Sequence, residues 1–156
     1  MTKAYLLFFI SIFSLQASAQ TWEELGRLAF EYHRTGFHDE AILYAESSID
    51  MAKKQFGETD LRYISSIINM GNYLRDSPKN EHQHKAPKYY LQALSFFKKY
   101  HQGHTLEGTL NLNYGVYLEM RKQGYSKSYY QKAYEIYKKN LGEYHPLTQE
   151  VKKKLI

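Results

Sequence analysis

The sequence predicts an all-α chain, an α-solenoid of three antiparallel helix pairs plus a C-terminal capping helix. Three observations carry this expectation. One pattern returns three times: Ala41, Tyr44, Ala45, Ser48, Ile49 recur 45 residues later as Ala86, Tyr89, Tyr90, Ala93, Leu94, and 40 residues after that as Ser126, Tyr129, Tyr130, Ala133, Tyr134. A period in this range belongs to arrays of stacked helical hairpins, each too small to bury its own apolar face. Along the repeats, apolar residues return at spacings of three and four, the mark of a helix with one buried stripe. Glycine, proline and short polar clusters supply the boundaries.

Seven helical segments follow in order. The first runs from about Thr21 to Arg34 and stops at Thr35 and Gly36, where glycine can take the left-handed conformation. Asp39 caps or opens the second, which turns Ala41, Ala45, Ser48, Ile49 and Ala52 inward and closes at Phe56 and Gly57. Thr59 and Asp60 start the third, with Ile64, Ile67, Ile68, Met70 and Leu74 on its apolar stripe. Ser77, Pro78, Lys79 and Asn80 form a turn cluster that begins a loop reaching His84. Pro87 fits the first turn of the fourth helix, which runs to about Tyr100 before Gly103. The fifth spans about Thr105 to Lys122, carries Leu106, Leu110, Leu112, Val116, Leu118 and Met120, and is expected to end at Gly124. The sixth covers Ser126 to Asn140 and stops at Gly142. Pro146 opens the seventh, where Leu147, Val151 and Leu155 give one apolar edge opposite a lysine-rich side. A terminal helix with one wet face is what the open end of a solenoid requires, and a longer array cut short gives the same pattern.

Residues 1–19 follow different rules. Lys3 makes a short positive start, Ala4 to Leu15 is almost wholly apolar, and Ala17, Ser18, Ala19 form a small-x-small cleavage pattern before Gln20. The apolar run of 12 residues falls short of the roughly 20 needed to span a bilayer, so a secretory signal peptide is preferred over an anchor. Without cysteine there is no thiol to acylate, and packing alone must hold the exported domain, residues 20–156. The expected location is periplasmic or extracellular, with no membrane span after cleavage.

Charge excludes little. After Lys3 the chain keeps 20 basic and 16 acidic side chains, a modest and dispersed excess. The pairs Lys53 Lys54, Lys98 Lys99 and Lys138 Lys139 sit at one place in each repeat, near a helix end, where cations complement the dipole. No contiguous basic face with stacking aromatics is seen, so nucleic acid is not an expected partner. Most of the tyrosines and phenylalanines fall at helical spacing and read as core rather than a ligand platform. No His-Glu-x-x-His pair, phosphate loop or nucleophile elbow is present, and no enzyme activity or cofactor is expected. His82, His84, His101 and His104 are a weaker thought of a metal site, lacking cysteine or carboxylate partners.

These repeats resemble tetratricopeptide repeats, and more closely the longer repeat of the kinesin light chain type. Leu28, Ala29, Tyr32, Gly36, Ala41 and Tyr44 match in the first repeat, with Ser48 replacing the usual alanine, and Met70, Gly71, Leu74, Ala86, Tyr89, Tyr90, Ala93 and Leu94 match in the second. Tyr130, Ala133, Ile136, Leu141, Gly142, Glu143, His145 and Pro146 match in the third. The loop inside the second repeat is about three residues longer than expected, and the third is shortened by about one between Gly115 and Ala133. The resemblance implies that small residues let helices approach closely. It also implies a concave wall lined by the first helix of each pair, on which a protein or peptide lies.

By register, that wall would take Phe30, His33 and Arg34 from the first repeat, Asn69, Asn72 and Arg75 from the second, and Asn113, Val116 and Glu119 from the third. Asn69 and Asn113 match asparagines that grip a peptide backbone in that family; alternatively they are solvated or cap nearby backbone. The expected function is therefore a non-enzymatic scaffold or adaptor. The alternative is the N-terminal regulatory or sensor part of a longer repeat protein whose output domain is absent.

Overall fold

A computed structural model describes residues 20–156, and the signal-peptide expectation for residues 1–19 lies outside the described residues. The described chain is all helical: α1 (Trp22–Arg34), α2 (His38–Phe56), α3 (Leu61–Asp76), α4 (Asn80–Gln83), α5 (Ala86–Tyr100), α6 (Thr105–Met120), α7 (Ser126–Leu141) and α8 (Pro146–Lys153). Each long helix packs on the next one along the chain, in the manner of an α-solenoid. Side chains also join helices one step further apart. Trp22 Nε1 donates to Ser66 Oγ at 2.8 Å, tying the start of α1 to α3, and Arg121 at the end of α6 donates to Asn80 Oδ1 at 3.0 Å.

The ends of these helices follow from local chemistry. Thr21 Oγ1 accepts from Glu24 N, and an Asp60 carboxylate oxygen accepts from Arg62 N, each satisfying a donor that the first turn leaves free. His104 and His145 do the same through Nδ1, accepting from Leu106 N and Leu147 N. Gly36 takes the positive φ expected of it, and Gly57, Gly103 and Gly142, expected only to break the chain, take one too, between 82° and 96° across the four. Gly124 does not. The left-handed residue after α6 is Lys122, at φ 53°, so the helix ends at Met120. Its closure repeats that of α1: Lys122 N reaches Glu119 O and Gln123 N reaches Leu118 O, as Gly36 N reaches His33 O and Phe37 N reaches Tyr32 O.

The second departure from expectation is α4, a four-residue helix inside the stretch expected to be loop. Ser77, fully buried, organises it. Its hydroxyl meets His82 Nδ1 at 2.9 Å and accepts from Lys79 N, while its carbonyl accepts from Gln83 Nε2 at 2.9 Å. Arg121 then clasps the segment from α6.

Burial is greatest along α3, whose Ile64, Ile67, Ile68, Met70 and Leu74 all lie in the main core. A second cluster gathers Tyr130, Ala133, Tyr137 and Val151, with Leu112 and Val116 packed against it. Tyr90, Tyr130, Tyr137 and Phe97 are fully buried, so the aromatic stripe is core. Glycine creates the room. A Cβ on Gly71 would lie 2.7 Å from the Tyr90 ring, on Gly108 2.7 Å from Tyr137, and on Gly115 2.6 Å from Tyr130. Only a residue without a side chain lets those rings lie flat against the neighbouring backbone.

Candidate functional site

The surface shared by α1 and α3 holds an open groove of about 440 Å3. Trp22 and Phe30 stand on the α1 side, Ser65 and Asn69 on the α3 side, and Gly26, Ser48, Ser66 and Tyr73 contribute below. Phe30 is 52% exposed, one of several large apolar side chains at the surface, Phe37 among them at 55%. Asn69 is exposed too, and no side-chain hydrogen bond engages it among the described residues. The walls are held firmly. Trp22 packs edge-to-face on Phe56 at 5.7 Å, Arg62 lies 3.5 Å over the same Phe56 ring, and Ser48 Oγ meets Ser66 Oγ at 3.2 Å. Burial pushes the Tyr73 phenol up to about 12, so its hydroxyl is a neutral donor and acceptor at any physiological pH.

Most of the other residues expected on this face are engaged within the chain. His33 Nε2 meets Asp76 Oδ2 at 3.1 Å, and Arg75 donates to both Asp76 oxygens at 2.6 and 2.8 Å. Burial pushes the Asp76 carboxyl up, but Arg75 and His33 outweigh it and hold the group below its ordinary value. The Arg75 side chain is only 13% exposed, with little left to offer a partner. Asn72 Oδ1 accepts from the Tyr90 hydroxyl at 2.9 Å. Arg34 bonds Glu31 on its own helix and takes no part in the groove.

Two of the residues expected from α6 lie against α8 and the residue that follows it. Val116 packs into the cluster that contains Val151 of α8. Glu119 accepts from the Tyr130 hydroxyl at 2.7 Å and from Lys154 Nζ at 2.8 Å, and these two hold its carboxyl below the usual range. Asn113 is half-buried and, like Asn69, has no side-chain hydrogen bond among the described residues. Of the nine expected residues, the structure therefore brings Phe30 and Asn69 to one groove, and His33 and Arg75 to one carboxylate.

Sequence reasoning missed Trp22, Ser65, Ser66, Tyr73 and Asp76. The lone tryptophan was the available signal for the first of these. The others depend on which turns of α1 and α3 meet, and local periodicity does not contain that information. The histidines considered for a metal have other partners: His82 on Ser77, His84 beside Arg121 at 3.4 Å, His101 stacked on Phe96, and His104 capping α6. Among the described residues no three histidine, aspartate or glutamate side chains gather as a metal site, and no helix is long and apolar enough to cross a membrane. Compared with known proteins, the chain matches no family model and no curated protein.

Proposed function

We propose that this chain is an exported repeat module of the tetratricopeptide kind, and that it holds a protein or peptide partner on the α1–α3 face without catalysing a reaction. The observation that carries the reading is the groove in which an exposed Phe30 faces an unengaged Asn69. An apolar anchor beside a free amide suits a peptide, since the amide offers a donor and an acceptor matching the backbone's own pair. Firm walls reduce the ordering cost of binding. The neighbouring His33–Asp76–Arg75 set contributes shape more than contact, because its charges already neutralise one another.

Capture from the exported compartment with residues 20–156 as bait supplies the partner, and binding is then measured against variants. Phe30→Ala combined with Asn69→Ala should weaken binding by about tenfold or more, the size expected when a central anchor and a hydrogen bond are lost together. Arg34→Ala, outside the groove, should leave it unchanged. Equal binding by the double variant and the wild-type chain would sink the assignment of this face.

A further inference from the structure

The three in-phase lysine pairs are not equivalent in the folded chain. In the last turn of α2, Lys53 pairs with Glu58, and in that of α7, Lys138 pairs with Glu143 at 2.8 Å. Each acid lies five residues beyond its lysine, just past the glycine that ends the helix. After α5 the turn reads Tyr100, His101, Gln102, Gly103, His104, and contains no acid. The next carboxylate, Glu107, turns back to accept from Gly103 N. Lys98 therefore has no ion pair among the described residues. None of the other nineteen residues carries a carboxylate side chain that could supply one.

Lys98 stands over a groove of about 790 Å3 between the end of α5, the start of α6 and the outer side of α7. Its floor is apolar, from Leu94, Tyr129 and Ile136. Across it, Lys132 and Lys139 rise from α7 seven residues apart, about two helical turns along one face. Both are exposed and free of ion pairs among the described residues, while Lys53, Lys79, Lys138, Lys152 and Lys154 all have acidic partners. The two acids of the groove are engaged locally, Glu107 on Gly103 and Glu135 on Gln131.

We propose that this groove is a second docking site, distinct from the α1–α3 face, for an acidic peptide segment carrying apolar side chains. Charge complementarity selects the occupant: carboxylates meet Lys98, Lys132 and Lys139, and apolar groups enter over Leu94, Tyr129 and Ile136. A nucleic acid strand fits less well, because its unbroken phosphates would run against Glu107 and Glu135. A peptide can place neutral residues there. The two grooves share no lining residue, so this site stands or falls independently of the first.

The test uses residues 20–156 and a fluorescein-labelled amphipathic peptide with glutamate and leucine at helical spacing, read by fluorescence anisotropy. Binding should occur, weaken with added salt, and fall about tenfold or more in Lys98→Glu combined with Lys132→Glu and Lys139→Glu. All three positions are exposed, and an unchanged helical circular dichroism spectrum excludes unfolding as the cause. Gln102→Glu, which returns an acid to the central turn without touching a lysine, should weaken binding several-fold. A peptide with glutamine in place of glutamate, or serine in place of leucine, should bind at least several-fold more weakly. No binding of the acidic peptide, equal binding of the glutamine version, full retention in the triple variant, or displacement by oligothymidine at equal concentration would each overturn the proposal.

Discussion

The joint between α1 and α2 and the joints of the later pairs solve one packing problem differently. In the repeat alignment Ala45 occupies the position of Tyr90 and Tyr130, and Ala29 that of Gly71 and Gly115. The later pairs use a ring against a bare backbone, while the first uses two methyl groups. Two consequences follow. At the base of the α1–α3 groove an open recess of about 10 Å3 lies beside Ala29, Ala45, Ser48 and Ser66, at the lower limit of what one water fills. The tyrosine hydroxyls, by contrast, fasten Asn72 and Glu119. Neither Asn69 nor Asn113 has such a tether among the described residues.

The largest test of that contrast removes a ring. Tyr90 is fully buried, and Tyr90→Ala should cost about 3–5 kcal/mol, as for other large aromatic truncations. Ala45→Gly, at the matching place in the first pair, should cost only about 1 kcal/mol, mostly helix propensity. Urea midpoints of the two variants decide it. If they fall together, the ring is not what holds the later joint.

Adding a methyl group is the next step down. Alanine is the better helix former by about 1 kcal/mol, yet Gly71→Ala should destabilise by about 1–3 kcal/mol, because the new Cβ would press on the enclosed Tyr90 ring. A net gain in stability would show that α3 and α5 slide apart at little cost. The first pair offers the reciprocal experiment. Ala45→Tyr alone overpacks against Ala29, and adding Ala29→Gly should recover about 0.5–3 kcal/mol as a coupling energy. The graft should also fill the recess and weaken binding at the proposed α1–α3 site.

How far this could be read in advance depended on the range of the cause. Gly36, Gly57, Gly103 and Gly142 announced their helix ends, because a positive φ is a freedom that one glycine carries by itself. Gly124 misled because Lys122 already sits where the α6 closure needs its left-handed residue, and hydrogen bonds to Glu119 and Leu118 outweigh the backbone preference. The helix α4 was invisible because Arg121, some forty residues downstream, helps hold it. The same holds for the candidate site. Register placed Phe30 and Asn69 on a common face, but which polar residues remain free depends on contacts such as His33–Asp76 and Glu119–Lys154, between positions far apart in sequence.

The smallest expected effect lies at the surface and separates joint from turn. Glu143 receives Lys138, Lys152 and the Tyr134 hydroxyl, and these lower its carboxyl from 4.5 to about 2. Because the folded value is depressed, the contribution is fully present above pH 4.5 and is lost as the pH falls through about 2. Wild type should therefore exceed Glu143→Gln in urea midpoint at neutral pH, by a small and salt-sensitive margin that narrows below pH 4.5 and closes near pH 2. Burial pushes the Tyr90 phenol upward, so it stays neutral throughout, and the deficit of Tyr90→Ala should remain flat over the same acid range. A margin at Glu143 that persisted unchanged to pH 2 would assign it to the amide's own effect. A Tyr90 deficit that narrowed in parallel would show that the buried joint, too, rests on charge.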